Sequence, residues 1–244
     1  EFPNNVVSKL VDFLYLQIVY DIYNDKAQNE HISPAINKLK SKQKDIEKVF
    51  DTSTNQDSIF DSSKNFVTIN LNEVNIEMKK TIPMLVVKKL YEEQKEKYKQ
   101  SNTSYLNIII DEAHNILSHN SNRESETWKD YRLETFEEII KEGRKFGVFL
   151  TIASQRPSDI SSTIISQLHN YFLHRLINNK DIEAVEKTIS YLDKISFESL
   201  PILPTGSCIF AGLAAQVPVM VDIGKINDGH EPKSDTIKLT ENWK

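Results

Sequence analysis

The stretch "NIIIDEAHN", residues 107–115, ends a β-branched run on two adjacent carboxylates, Asp111 and Glu112. A carboxylate at such a strand end can hold Mg²⁺ through water. A second can orient and deprotonate an attacking water. About forty residues later another apolar run, "VFLTIAS" (148–154), ends on Gln155-Arg156, and a third, "YFLHRL" (171–176), carries Arg175. A glutamine hydrogen-bonds a water or a phosphate oxygen without adding charge, and arginines neutralise the charge that develops in phosphoryl transfer. Each group alone has a plainer reading: a helix cap or solvated turn for Asp-Glu, turn shaping for Gln155, a structural ion pair for Arg175. Their joint order points to hydrolysis of a nucleoside triphosphate.

The elements that must position these groups alternate. The pattern predicts strands at 66–71, 105–111, 148–154 and 171–176, and a hairpin from 207–212 and 217–223. Between them it predicts helices at 77–100, roughly 132–145, 162–168 and 181–190, with 118–131 as polar loop. Apolar strands alternating with helices imply an α/β fold with a mostly parallel sheet covered on both faces. Ligands then sit beyond the carboxyl ends of the strands. Residues 3–50 read as helices, with Ser33-Pro34 as a cap and first helical position. The Ser/Asp/Asn-rich stretch 51–65 reads as loop. The expected organisation is a helical subdomain at 1–64, an α/β core at 65–224 and a polar tail at 225–244.

Composition sets limits. A net charge of −5 gives no global basic footprint for nucleic acid, although a ring can concentrate a few charges in one channel. The single cysteine, Cys208, rules out an intrachain disulfide and suggests a reducing, cytoplasmic setting. The most apolar stretch, 6–23, is interrupted by Ser8, Lys9, Asp12, Gln17 and Asp21, so no membrane span is expected. His114 and His119 lie five apart, as do His169 and His174, and neither pair has His-Glu-x-x-His spacing.

The strings "IIIDEAHN", "EEIIKEGRKFGVFLTIASQRPSDIS" and "SQLHNYFLHRLINNKD", in this order, resemble the HerA branch of the FtsK/HerA hexameric DNA-translocating ATPases over roughly residues 65–224. The resemblance implies a RecA-like ATPase core using ATP and Mg²⁺. It implies a homo-oligomeric, hexameric ring acting on DNA, often with a nuclease or in antiviral defence. It matches Asp111 to the Walker B aspartate, Glu112 to the catalytic glutamate and Gln155 to the polar γ-phosphate sensor. Arg144, in "EGRKFG", is matched to an arginine finger reaching a neighbouring subunit, and Arg175 is a second candidate for that role. Lys145 reads as a surface residue. The ATPases of conjugation and type IV secretion share Asp-Glu and Gln, but "ASQRPSDI" fits HerA better. The Ser-Ala-Thr and Gln-x-x-Gly-Arg-x-Gly-Arg motifs of DEAH RNA helicases are absent.

One family element is missing. None of the six glycines (143, 147, 206, 212, 224, 229) forms the G-x-x-x-x-G-K-[ST] loop that grips phosphates through backbone N–H groups and a lysine. The chain begins Glu1-Phe2 without Met, and the expectation is that the loop lies upstream of residue 1. Its strand would be central, beside the strand at 105–111. Lacking it leaves backbone groups unpaired and predicts a gap, an altered pairing or a strand from another chain. The alternative is a scaffold of the same fold, a non-catalytic ring or interaction module.

Overall fold

The computed structural model describes residues 6–26, 28–49, 64–100, 104–119, 126–227 and 229. The chain divides into two compact units, Glu1–Ile69 and Asn70–Lys244. The loop at 51–65, except 64 and 65, and nearly all of the tail after 227 lie outside the described residues.

In the first unit, α1 (Val6–Tyr23) and α2 (Asn29–Val49) form a hairpin of helices. Val11, Ile18 and Ile36 make its small core, flanked by Leu14, Tyr15, Ile32 and Leu39. Helix α2 starts at Asn29, so Pro34 lies inside it and not at its first position as the Ser33-Pro34 pair suggested.

The second unit holds α3 (Ile76–Lys99), β1 (Leu106–Ile110), α4 (Glu126–Glu142), β2 (Val148–Ile152), α5 (Ser162–Gln167), β3 (Asn170–His174), α6 (Asn179–Thr188), α7 (Lys194–Ser199), β4 (Ser207–Gly212) and β5 (Ala215–Asp222). Helix α3 begins where the Asn75 side chain accepts the Met78 N–H at 2.9 Å, an N-cap. Strands β1 and β2 run parallel, Leu106 opposite Val148 through Ile110 opposite Ile152, with α4 as their crossover. Strands β3, β4 and β5 form a separate antiparallel sheet. The class is α/β, and its parallel part among the described strands is the β1–β2 pair. No ladder joins β2 to β3, so the sheet is broken between them. At the end of β4, Gly212 has φ +128°, and a Cβ there would stand 2.2 Å from the His169 carbonyl oxygen, so only glycine fits.

One face of these strands is packed and the other is open. Met84, Val87 and Tyr91 of α3 and Leu133, Phe136 and Ile139 of α4 join Ile108, Ile110 and Val148 in the core. On the opposite face Ile109 is 67% exposed, Phe149 43% and Phe172 61%. The expected cover on both faces is therefore seen on one. The run 66–71 forms no strand; Phe66 is exposed, and among the described residues no neighbouring strand takes its backbone hydrogen bonds. Helix α4 starts at Glu126, earlier than the expected 132, because Arg132 and Leu133 face inward with Phe136. Helix α7, capped by Asp193 accepting from Ser196 N–H at 3.0 Å, had no forecast from the pattern.

Candidate active site

The carboxylates lie on a bulge. Ala153 N–H donates to the Ile110 carbonyl, and Ala113 N–H donates to the Ala153 carbonyl, both at 2.9 Å. A regular parallel ladder would draw the second bond from residue 112, so one extra residue is looped out of the ladder. Glu112 absorbs the distortion with φ +47° and ψ +44°, a left-handed conformation. For a residue with a side chain that costs roughly 1 kcal/mol or more. Its own N–H donates to Asp111 Oδ1 at 2.9 Å. Asp111 is exposed, while Glu112 turns back toward the end of β2.

There it meets the second predicted group. Gln155 Nε2 donates to Glu112 Oε1 at 3.0 Å. His114 Nδ1 lies 3.3 Å from Glu112 Oε2 and 3.1 Å from Ser154 Oγ. The Oε2 atom is closed off from solvent although the Glu112 side chain is 44% exposed. Ser154 Oγ also accepts the Arg156 N–H at 3.1 Å, closing the turn before Pro157. The two loops continue zipped together: Ser161 N–H donates to the Leu117 carbonyl, His119 N–H to the Asp159 carbonyl, and Ser118 bridges Ile160.

Buried polar groups hold this assembly from behind. Arg132 of α4 is fully buried and donates to the carbonyls of Ile116 and Ser118, the latter at 3.2 Å. Part of the expected polar loop at 118–131, from Glu126 on, is instead the first turns of α4, which carry this inward arginine. Asp181, in the first turn of α6, accepts the Ser158 N–H at 3.0 Å, so the loops after β2 and β3 lie at the same edge. Arg175 is exposed in the loop between β3 and α6, at that edge. Arg144 is not. It is exposed in the 3-10 turn Gly143–Phe146 that precedes β2 and forms no ion pair among the described residues. A five-residue strand separates it from Gln155, roughly 17 Å at 3.3 Å per residue, too far for a shared site within one chain. Lys145 pairs with Glu142 on the surface at 3.4 Å.

Sequence reasoning named His114 in a histidine pair and Ser154 at its strand end but gave neither a role at the site, and it did not single out Arg132 or Asp181. The "DEAHN" string contained the first of them, but its partner Ser154 lies forty residues away. Among the described residues no cluster of three or more His, Cys, Asp or Glu could hold a metal. One exposed carboxylate, Asp111, fits an ion held mainly by water and phosphate oxygens, as Mg²⁺ commonly is.

The comparisons agree with the motifs. The chain is similar to the HerA helicases. It is 36% identical over 137 residues to the DNA double-strand break repair helicase HerA of Sulfurisphaera tokodaii, covering 56% of this chain and 26% of that protein. The HerA of Pyrococcus furiosus is 29% identical over 143 residues, covering 56% and 24%. The chain thus spans about a quarter of the length of the curated relatives it matches. The genome-packaging NTPase B204 of Sulfolobus turreted icosahedral virus 2, solved with AMP, aligns at 18% identity and a TM-score of 0.43 over 56% of this chain and 61% of its own. No family model matches.

Proposed function

We propose that this chain is the portion of a HerA-like, ATP-dependent DNA translocase that carries the Walker B, sensor and arginine-finger elements. The observation that carries the reading is the meeting of Glu112 and Gln155 at the ends of two parallel strands, beside an exposed Asp111. In this reading Asp111 would hold Mg²⁺, and the ion would supply charge neutralisation on the phosphates of ATP. Glu112 accepts the proton of the attacking water, and Gln155 fixes the Glu112 carboxylate while its carbonyl oxygen stays free for that water. Arg144, at the other end of β2, serves the site of a neighbouring subunit, with Arg175 as the second candidate. Residues 65–224 form the ATPase core, 1–64 a helical insertion and 225–244 a tail.

The phosphate-binding loop must come from outside these 244 residues. The break between β2 and β3 and the open apolar face at Ile109, Phe149 and Phe172 support an added strand and helix there, beside β2 and not, as expected, directly beside β1. A ring, a hexamer by family likeness, threads DNA, with a nuclease or defence effector as partner. Cys208, buried and unpaired with its thiol pKa pushed up by burial, suits the cytoplasm. Among the described residues no helix is long and apolar enough to cross a membrane.

The test is Mg²⁺-dependent ATP hydrolysis by the full-length protein with duplex DNA, beside Glu112→Gln. The expected result is hydrolysis by the wild type and a loss of ~100-fold or more in the variant. A wild type without hydrolysis, with and without DNA, would favour the scaffold of the same fold.

A further inference from the structure

We propose that His114 is a positioning residue for Glu112: its Nδ1–H clamps one carboxylate oxygen so that the other stays aimed at the reacting water. The proposal rests on the reading above, in which Glu112 takes that proton. Three observations carry it. Glu112 Oε2 is shut off from solvent and no group donates to it with regular hydrogen-bond geometry, so an anionic oxygen there needs compensation. The nearest nitrogen is His114 Nδ1, at 3.3 Å. The backbone of Glu112 is left-handed, a strained conformation that persists only where surrounding contacts hold the residue in place.

The neighbours fix the tautomer. An unprotonated Nδ1 would point a lone pair at a carboxylate oxygen. A proton on Nδ1 is instead donated to Ser154 Oγ at 3.1 Å and puts its positive charge beside Glu112 Oε2, 3.3 Å from the nitrogen. Ser154 is held in turn by the Arg156 N–H. The imidazole therefore ties the bulge after β1 to the turn after β2, on the side of Glu112 away from Gln155. Gln155 donates to Oε1, and the protonated Nδ1 of His114 stands beside Oε2 at 3.3 Å. A carboxylate flanked on both oxygens keeps one orientation through the catalytic cycle, and precise orientation is worth large factors in rate.

The experiment measures kcat and KM for MgATP with the full-length protein for wild type, Glu112→Gln, His114→Ala and His114→Asn. The Asn side chain can place an amide N–H close to where Nδ1–H stands. The expected result is a kcat loss of ~10- to 100-fold in His114→Ala with KM within about twofold, and recovery to within about threefold of wild type in His114→Asn. Thermal midpoints of the variants separate this from unfolding; should His114→Ala fail to fold, His114→Asn decides alone. Wild-type kcat in His114→Ala, or a folded His114→Asn with kcat reduced tenfold or more, overturns the proposal. An inactive wild type would instead overturn the ATPase reading beneath it.

Discussion

Where β1 and β2 end, the backbone accepts a strained residue, an extra residue in the ladder and two loops bonded side by side, and the result is a group of converging polar side chains. Where β2 begins, the chain turns through Gly143–Phe146 on ordinary local bonds, and Arg144 projects alone into solvent. The same strand thus has one end built to hold several groups in fixed relation and another where Arg144 is exposed and has no ion pair among the described residues. Groups that must cooperate within a chain are locked to one another. A group that acts on another chain has only to be presented. The contrast favours chemistry in cis at the first end and in trans at the second.

The sharpest way to break that comparison is complementation. Arg144→Ala should lower ATP hydrolysis by ~10³-fold or more if the arginine stabilises a neighbour's transition state. Mixing it with the inactive Glu112→Gln protein should restore measurable hydrolysis, because some interfaces then pair an intact Arg144 with an intact Glu112. Steady-state hydrolysis of the mixture against its separate components is the measurement. A mixture as inactive as its parts would remove Arg144 from a trans role and pass the candidacy to Arg175.

The next effect tests whether the first end is held rigid from behind. Arg132→Leu deletes the donors to the Ile116 and Ser118 carbonyls while keeping an apolar stem among Leu133, Phe136 and their neighbours. Buried carbonyls left without a charged donor should reduce stability by about 3 kcal/mol, read from denaturant unfolding. The hydrolytic rate should fall with it, since these carbonyls follow directly on the bulge. A fall in stability with unchanged activity would show that the loops keep their geometry without α4.

What could be read in the residues and what could not divide along the same line. The placement of Asp111, Glu112 and Gln155 just after two paired strands was legible because carboxylates and an amide closing β-branched runs are matters of residue type and spacing. The bulge was not, because it consists of one displaced hydrogen bond between residues forty apart, and left-handed Glu112 breaks local preference only once β1 and β2 are paired. His114 and Ser154 depend on that bulge. Arg132 stood at the expected start of a helix behind a polar segment, where a charge reads as solvent-facing; only the packing of Leu133 and Phe136 turns it inward. The strand expected at 66–71 has the right alternation, but alternation makes a strand only where a neighbour offers hydrogen bonds. The pattern predicted a mostly parallel sheet because it reads each strand's composition, and Tyr171–His174 has much the same composition whether it pairs parallel or, as here, antiparallel with β4.

The strain itself is measurable. Glu112→Ala and Glu112→Gly both remove the carboxylate and should both be inactive, but only glycine adopts φ +47° without penalty. Glu112→Gly should therefore be more stable than Glu112→Ala by about 0.5–1 kcal/mol in denaturant unfolding, after allowing for glycine's greater freedom in the unfolded chain. Equal stabilities would mean that the bulge relaxes when its side chain is removed, and that the strain belongs to Glu112 and its partners and not to the ladder.

An effect of similar size, with no loss of hydrolysis, lies in the antiparallel sheet, where a polar group serves packing alone. Tyr171 Oη donates to the carbonyls of Ile165 and Leu168, at 2.7 and 2.9 Å, and fastens the end of α5 to β3. Burial pushes its pKa up to about 12. Tyr171→Phe should cost about 1 kcal/mol at neutral pH and leave hydrolysis unchanged. The pH dependence follows from the sign of the shift. Below pH ~10 the tyrosine is protonated in both folded and unfolded chains, and its contribution is complete. Between ~10 and 12 the unfolded chain ionises first, so wild-type stability drops relative to the phenylalanine variant and the gap between them closes. Denaturant midpoints of the two proteins at neutral pH and at pH ~11 test this. A gap that stays constant would mean that the hydroxyl meets water freely, and that the carbonyls of Ile165 and Leu168 are satisfied without it.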